Sequence, residues 1–164
     1  MKKSPIALRI ISLILLIGWM GLIFYLSHQN AGNSSNMSAG LIRRVLSVFI
    51  PDTSGDELTN VIASLQFIVR KTAHLTLYLI LGVFALLHFS TYNRLTLIAK
   101  ASSSFVISVL YAVSDEYHQT YIQGRSGEIR DVLIDSLGAV IGILLSLLVY
   151  KIFKALKNKS ARKV

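Results

Sequence analysis

Residues 6–26 read IALRIISLILLIGWMGLIFYL, an apolar run broken by a single charge, Arg9. An α-helix needs about 20 predominantly apolar residues to cross the hydrocarbon core of a bilayer, so this segment has the length and chemistry of a membrane span. Lys2 and Lys3 precede it in the manner of a signal peptide. The run is too long for that, however, and no small-residue cleavage pattern follows, so a retained anchor is expected. Composition agrees: of 164 residues, 53% are hydrophobic and only 15% charged, with a mean hydropathy of +0.59. A water-soluble domain of this size carries about a quarter charged residues.

Three more runs of this kind lie at Ala73–Thr91, Leu95–Val113 and Val132–Tyr150, with Lys100 and Ser102, Ser103 and Ser104 diluting the second of them. The expected fold is therefore an all-α membrane bundle, a single domain over residues 1–164 with four spans near 6–26, 73–91, 95–113 and 132–150. Between the first two spans, residues 27–40 are rich in Ser, Asn and Gly and suggest a flexible connection. Leu41, Ile42, Val45, Leu46 and Phe49 then recur at helical spacing around Arg43 and Arg44, the pattern of a short amphipathic helix at the interface that Pro51 ends. Thr53 and Ser54 offer N-cap signals for a second helix carrying Leu58, Val61, Ile62, Leu65 and Ile68, which runs on toward the second span. The two form an extracytoplasmic helical hairpin.

Charge sets the expected orientation. With four spans, one side receives eleven Lys and Arg residues, from Lys2 to the tail 151–164, and no acid. The other receives six basic residues and all eight acidic ones. Lys and Arg are retained on the cytoplasmic side, so both termini are expected there. The net charge of +9 and pI near 10.0 are then a topology signal. Nucleic-acid binding is not expected, because the basic residues lie in juxtamembrane tails without interleaved aromatics; anionic lipid is the partner such tails attract.

Polar stripes run through the apolar helices. Arg70, His74, Tyr78 and Gly82 are spaced by four, as are Asp131, Asp135, Gly138, Gly142 and Ser146 with one step of three. Ser104, Ser108, Tyr111 and Asp115 form a third line, which ends in the motif Ser114-Asp115-Glu116-Tyr117-His118-Gln119. Ionisable groups at membrane depth are costly and are retained for pairing or for work. Small residues at this spacing let helices approach closely. His74, Asp115, Glu116 and His118 are the candidates for proton transfer. Arg70, Tyr78, Gln119, Arg125, Arg130, Asp131 and Asp135 are candidates for ligand binding, with arginine suited to clamp phosphate. Asp115, Glu116, His118 and Asp131 carry metal-ligating atoms, but Glu116 and His118 stand two apart rather than in an HExxH arrangement, so no metal and no cofactor is expected. With no cysteine in the chain, disulfides and thiolate chemistry are excluded.

These residues resemble the VanZ-like family of bacterial membrane proteins: Arg70-Lys71-x-x-His74-x-x-x-Tyr78, then Asp115-Glu116-x-His118-Gln119 with Gly124-Arg125, then Asp131 with Gly138 and Gly142. Ser27-x-Gln29 and Ser34, Ser35 and Ser38 extend the likeness over roughly residues 20–145. One position departs from it, since Asp135 stands where the family pattern usually has Asn. The resemblance implies a multi-pass protein of the cytoplasmic membrane of Gram-positive bacteria, in a family whose founding member is associated with teicoplanin resistance. It implies no mechanism. Three readings of the polar cluster remain: recognition of an anionic envelope lipid or lipid-linked precursor, hydrolysis or group transfer on a lipid-linked phosphate, and a salt-bridge network that only positions the helices.

Overall fold

A computed structural model describes residues 6–49 and 56–161. These form five helices, α1 (Ile6–Ser27), α2 (Ala31–Phe49), α3 (Asp56–Ser90), α4 (Leu97–Gln119) and α5 (Ile129–Ala161), with no strand among the described residues. Four are long and apolar enough to cross a membrane, over Ile6–Ser27, Ser64–Ser90, Leu97–Gln119 and Ile129–Lys159. Their outward side chains say the same. Ile10, Ile14 and Ile17 on α1, Val106 and Leu110 on α4, and Leu133, Leu137, Leu144 and Leu148 on α5 are all exposed. An apolar surface this continuous belongs against lipid rather than water.

α3 is the central element and packs against each of the other four helices. Its tightest partner is α5. A Cβ on Gly138 would overlap the carbonyl oxygen of Leu75, and one on Gly142 that of Leu79; from the other side, a Cβ on Gly82 would overlap the carbonyl oxygen of Ala139. The small residues of two stripes thus face one another, and backbone meets backbone. Between helices in lipid the attraction is van der Waals packing, so close approach is itself what stabilises the pair. Around this contact Leu16 and Ile23 of α1, Tyr78, Leu81 and Ala85 of α3, and Ala112 of α4 form the apolar core. α1 is tied to α3 by the Trp19 indole, which donates to the Leu77 carbonyl at 2.8 Å and meets Phe84 edge-on at 5.7 Å. Near the other end of α1, Ser12 meets His88 Nδ1 at 3.1 Å and Arg9 lies over the Tyr92 ring.

Several boundaries differ from the sequence expectation. Residues 31–40, read as flexible, are the first half of α2. That helix lies along the N-terminal part of α3, where Gln66 donates to the Ser35 carbonyl at 3.3 Å and Ile42 and Ile62 are buried. Tertiary packing overrides a poor intrinsic propensity. The acidic motif is also helical: α4 starts behind the Thr96 cap, whose side chain accepts from the Ala99 N–H, and runs through Gln119. Only residues 120–128 connect it to α5. α3 and α5 continue past the bilayer, since 35 and 33 residues extend about 50 Å at 1.5 Å per residue against roughly 30 Å of hydrocarbon. The C-terminal basic segment is accordingly helical to Ala161. Pro51 and the N-cap signals at Thr53 and Ser54 lie outside the described residues.

Candidate functional site

The glycine contact between α3 and α5 fixes what stands one turn farther along. His74 Nδ1 lies 3.5 Å from Asp135 Oδ1, and the Asp135 side chain is 0% exposed. One turn beyond, Lys71 forms an ion pair with Asp131 and lies 3.9 Å from Glu128. Lys71, His74 and Tyr78 occupy one face of α3, at the i, i+3, i+7 positions that meet a neighbouring helix.

α4 adds two buried carboxylates. Asp115 Oδ2 accepts from the Ser27 hydroxyl of α1 at 2.8 Å, from the Tyr78 hydroxyl at 3.4 Å and from Gln119 Nε2 at 3.4 Å. Glu116 accepts from Gln119 Nε2 at 3.2 Å and, through Oε2, from the Glu128 backbone N–H at 2.9 Å. Arg125 completes the chain by donating to Gln119 Oε1 at 3.0 Å. The connection from α4 to α5 can follow this path because Gly124 has φ 76°. At Gly127, a Cβ would come within 2.7 Å of the Glu116 carbonyl oxygen. Burial lowers the Arg125 guanidinium from its ordinary value, and the neighbouring Arg70 acts in the same direction. Arginine titrates so high that it stays charged nonetheless.

Two cavities open on this cluster. The larger, about 220 Å³, is walled by Leu26, Met37, Leu41, Val69 and Leu77 and has Arg70, His74 and Arg125 in its lining. The smaller, about 70 Å³, is lined by Arg70, His74, Gln119, Arg125, Glu128 and Asp131 among others. Arg70, His74 and Arg125 line both. The arrangement offers an apolar slot ending at two guanidinium groups and an imidazole, beside a small polar recess. Such a shape accommodates an amphiphile with an anionic head.

Of the residues singled out from sequence, Arg70, His74, Tyr78, Asp115, Glu116, Gln119, Arg125, Asp131 and Asp135 are drawn into this one region by α3, α4, α5 and the loop. His118 is not. It turns toward α1, where it stacks on His28 at 5.4 Å between ring centroids and meets the Phe24 ring at a tilt at 4.7 Å, with His28 Nδ1 3.1 Å from its Nε2. Arg130 is exposed and lines neither cavity. Two partners, Lys71 and Ser27, stand in the family pattern quoted above but were not among the candidate site residues. Lys71 stands three residues before His74 and so shares its face; Ser27 lies four after Ile23, on the buried stripe of α1. Both were legible as periodic positions.

No curated relative and no solved structure matches the chain. A family model described as VanZ/LLP1 matches residues 12–152, which takes in the second and third spanning helices whole, most of the first and fourth, and every residue of the cluster. The chain belongs to the VanZ/LLP1 family.

Proposed function

We propose that this protein recognises an anionic envelope lipid, or a lipid-linked envelope precursor, in the leaflet of the bacterial cytoplasmic membrane away from the cytoplasm. The observation that carries the reading is the 220 Å³ apolar cavity ending at Arg70, His74 and Arg125. A phosphate or carboxylate head takes charge-assisted hydrogen bonds from the two guanidinium groups, and an acyl chain lies along Leu26, Met37, Leu41 and Val69. Excess Lys and Arg at the opposite ends of the helices supports cytoplasmic termini, which turns the cavity outward. Family membership extends the reading to glycopeptide susceptibility, with teicoplanin the agent to test.

The test is reconstitution of the full chain in vesicles of phosphatidylglycerol or of phosphatidylcholine. The wild type is expected to melt several degrees higher in the anionic lipid, and the Arg70→Ala/Arg125→Ala double variant to lose that difference. Equal melting in both lipids overturns the reading. A second reading, hydrolysis of a lipid-linked phosphate, is favoured by one observation: His74 lines both cavities with Asp135 3.5 Å behind its ring, an acid–base arrangement. Phosphate release from a lipid pyrophosphate, lost in His74→Gln, distinguishes it from binding alone.

A further inference from the structure

The buried centre of the cluster has a deficiency that the lipid reading does not address. Asp135 is fully buried, yet neither of its carboxylate oxygens has a hydrogen-bond partner, and neither does His74 Nδ1 beside it. Burying a carboxylate without donors is costly, and such a group is expected to be paired or to coordinate a metal. The base beside it is His74, whose Nδ1 at 3.5 Å makes an ion pair with Asp135 only when the imidazole is protonated; Lys71 is paired with Asp131 and Arg125 donates to Gln119. Glu116, from the third helix, brings another carboxylate to the same point: one ligand atom each from His74, Glu116 and Asp135 lies within 4.8 Å of the other two.

The geometry points to a divalent-cation site formed by His74 of α3, Glu116 of α4 and Asp135 of α5. Two ligands bonded at about 2.1 Å and set at the tetrahedral angle are about 3.4 Å apart, and His74 Nδ1 stands 3.5 Å from Asp135 Oδ1. The remaining separations, none above 4.8 Å, close with side-chain movement of about 1 Å. A dication between these groups offsets the charge of both carboxylates while the imidazole binds as a neutral ligand, and it satisfies the orphaned Asp135 oxygens in the same act. One imidazole and two carboxylates, with no thiolate in the chain, suit Mn²⁺ or Zn²⁺ better than Cu⁺, and the nitrogen ligand disfavours Mg²⁺. The site is largely pre-formed, because the glycine contact between α3 and α5 sets the distance from His74 to Asp135. It also has an entry path, since His74 lines the polar 70 Å³ cavity. From sequence, Asp115, Glu116, His118 and Asp131 carry ligating atoms but their spacing leads to no expected metal; the fold turns His118 away and brings His74 and Asp135 to Glu116 instead.

The experiment uses the full-length protein in detergent, stripped with a chelator and dialysed against Mn²⁺, Zn²⁺ or Mg²⁺ alone, with metal counted by mass spectrometry. The wild type is expected to retain one Mn²⁺ or Zn²⁺ per chain and to melt at a higher temperature with it. Asp135→Asn and Glu116→Gln each bind at least tenfold more weakly, while His118→Gln binds as the wild type does. Pulsed electron paramagnetic resonance of the wild-type Mn²⁺ form, which depends on no variant folding, is expected to show one coupled imidazole nitrogen. Metal uptake no greater than a detergent blank, unchanged affinity in both folded carboxylate variants, or no nitrogen coupling overturns the inference. Because the probe is the metal alone, that failure would leave the phosphatidylglycerol preference of the Arg70/Arg125 cavity standing, and the reverse also holds.

Discussion

Replacing Gly138 with alanine adds a single methyl group to the protein, and the structure says where that methyl must go. It would overlap the Leu75 carbonyl oxygen and come within 3.1 Å of the Leu75 carbonyl carbon and 3.2 Å of the Leu79 nitrogen. All three are backbone atoms of a helix, which cannot step aside as a side chain does, so α5 has to move away from α3 by roughly 1 Å to reach ordinary contact. The overpacking cost is about 1–3 kcal/mol. The same displacement stretches the 3.5 Å separation of His74 and Asp135 by a comparable amount, although neither residue has been changed. Gly18→Ala is the matched control, because nothing lies within 4 Å of a Cβ there; better helix propensity leaves it neutral or stabilised by up to about 1 kcal/mol. Melting of both variants in one detergent, followed by circular dichroism, measures the contrast. A Gly138→Ala protein as stable as Gly18→Ala would refute the tight α3–α5 contact and the placement of the polar cluster that depends on it.

Other perturbations address separate parts of the structure. Lys71→Met leaves the buried Asp131 carboxylate without its ion-pair partner and is expected to destabilise by about 3–5 kcal/mol, with Asp131→Asn in the same chain restoring much of the loss; urea titration in micelles reads both. Trp19→Phe removes the indole donor to the Leu77 carbonyl and is expected to cost about 1 kcal/mol from the hydrogen bond alone. As Trp19 is the sole tryptophan, its blue-shifted emission in the wild type reports the α1–α3 contact directly. Absence of native cysteine allows single-cysteine labelling in intact cells. Ser126→Cys, in the α4–α5 connection, is expected to react with an impermeant maleimide from outside, whereas Asn158→Cys reacts only after permeabilisation; the opposite pattern would reverse the proposed topology.

Much of this arrangement is written in the sequence as periodicity. Runs of Leu, Ile and Val mark the spanning helices, and the four-residue spacing of His74, Tyr78 and Gly82 against Asp135, Gly138 and Gly142 marks the faces of α3 and α5 that meet. Helical repeat alone relates a residue to its neighbours at i+3 and i+4, which is why those faces were readable. What periodicity does not carry is the rotation of one helix relative to the next. His118 lies one residue from Gln119 and three from Asp115, yet it turns to His28 on α1 while they face the cluster. Likewise the first half of α2, residues 31–40, has the composition of a connection, and its helical form follows from packing on α3 through the buried Ile42 and Ile62 and the Gln66 bond to Ser35, partners distant in sequence. The α4–α5 connection is set in the same way, by the hydrogen bonds of Glu116 and Gln119 to Glu128 and Arg125.

A structure of the full chain solved in phosphatidylglycerol bilayers tests the account most directly. The prediction is headgroup density between Arg70 and Arg125, a chain running past Met37, Leu41 and Val69, and His74 still beside Asp135. A cavity without lipid, with Arg70 and Arg125 turned apart and His74 separated from Asp135, would contradict it.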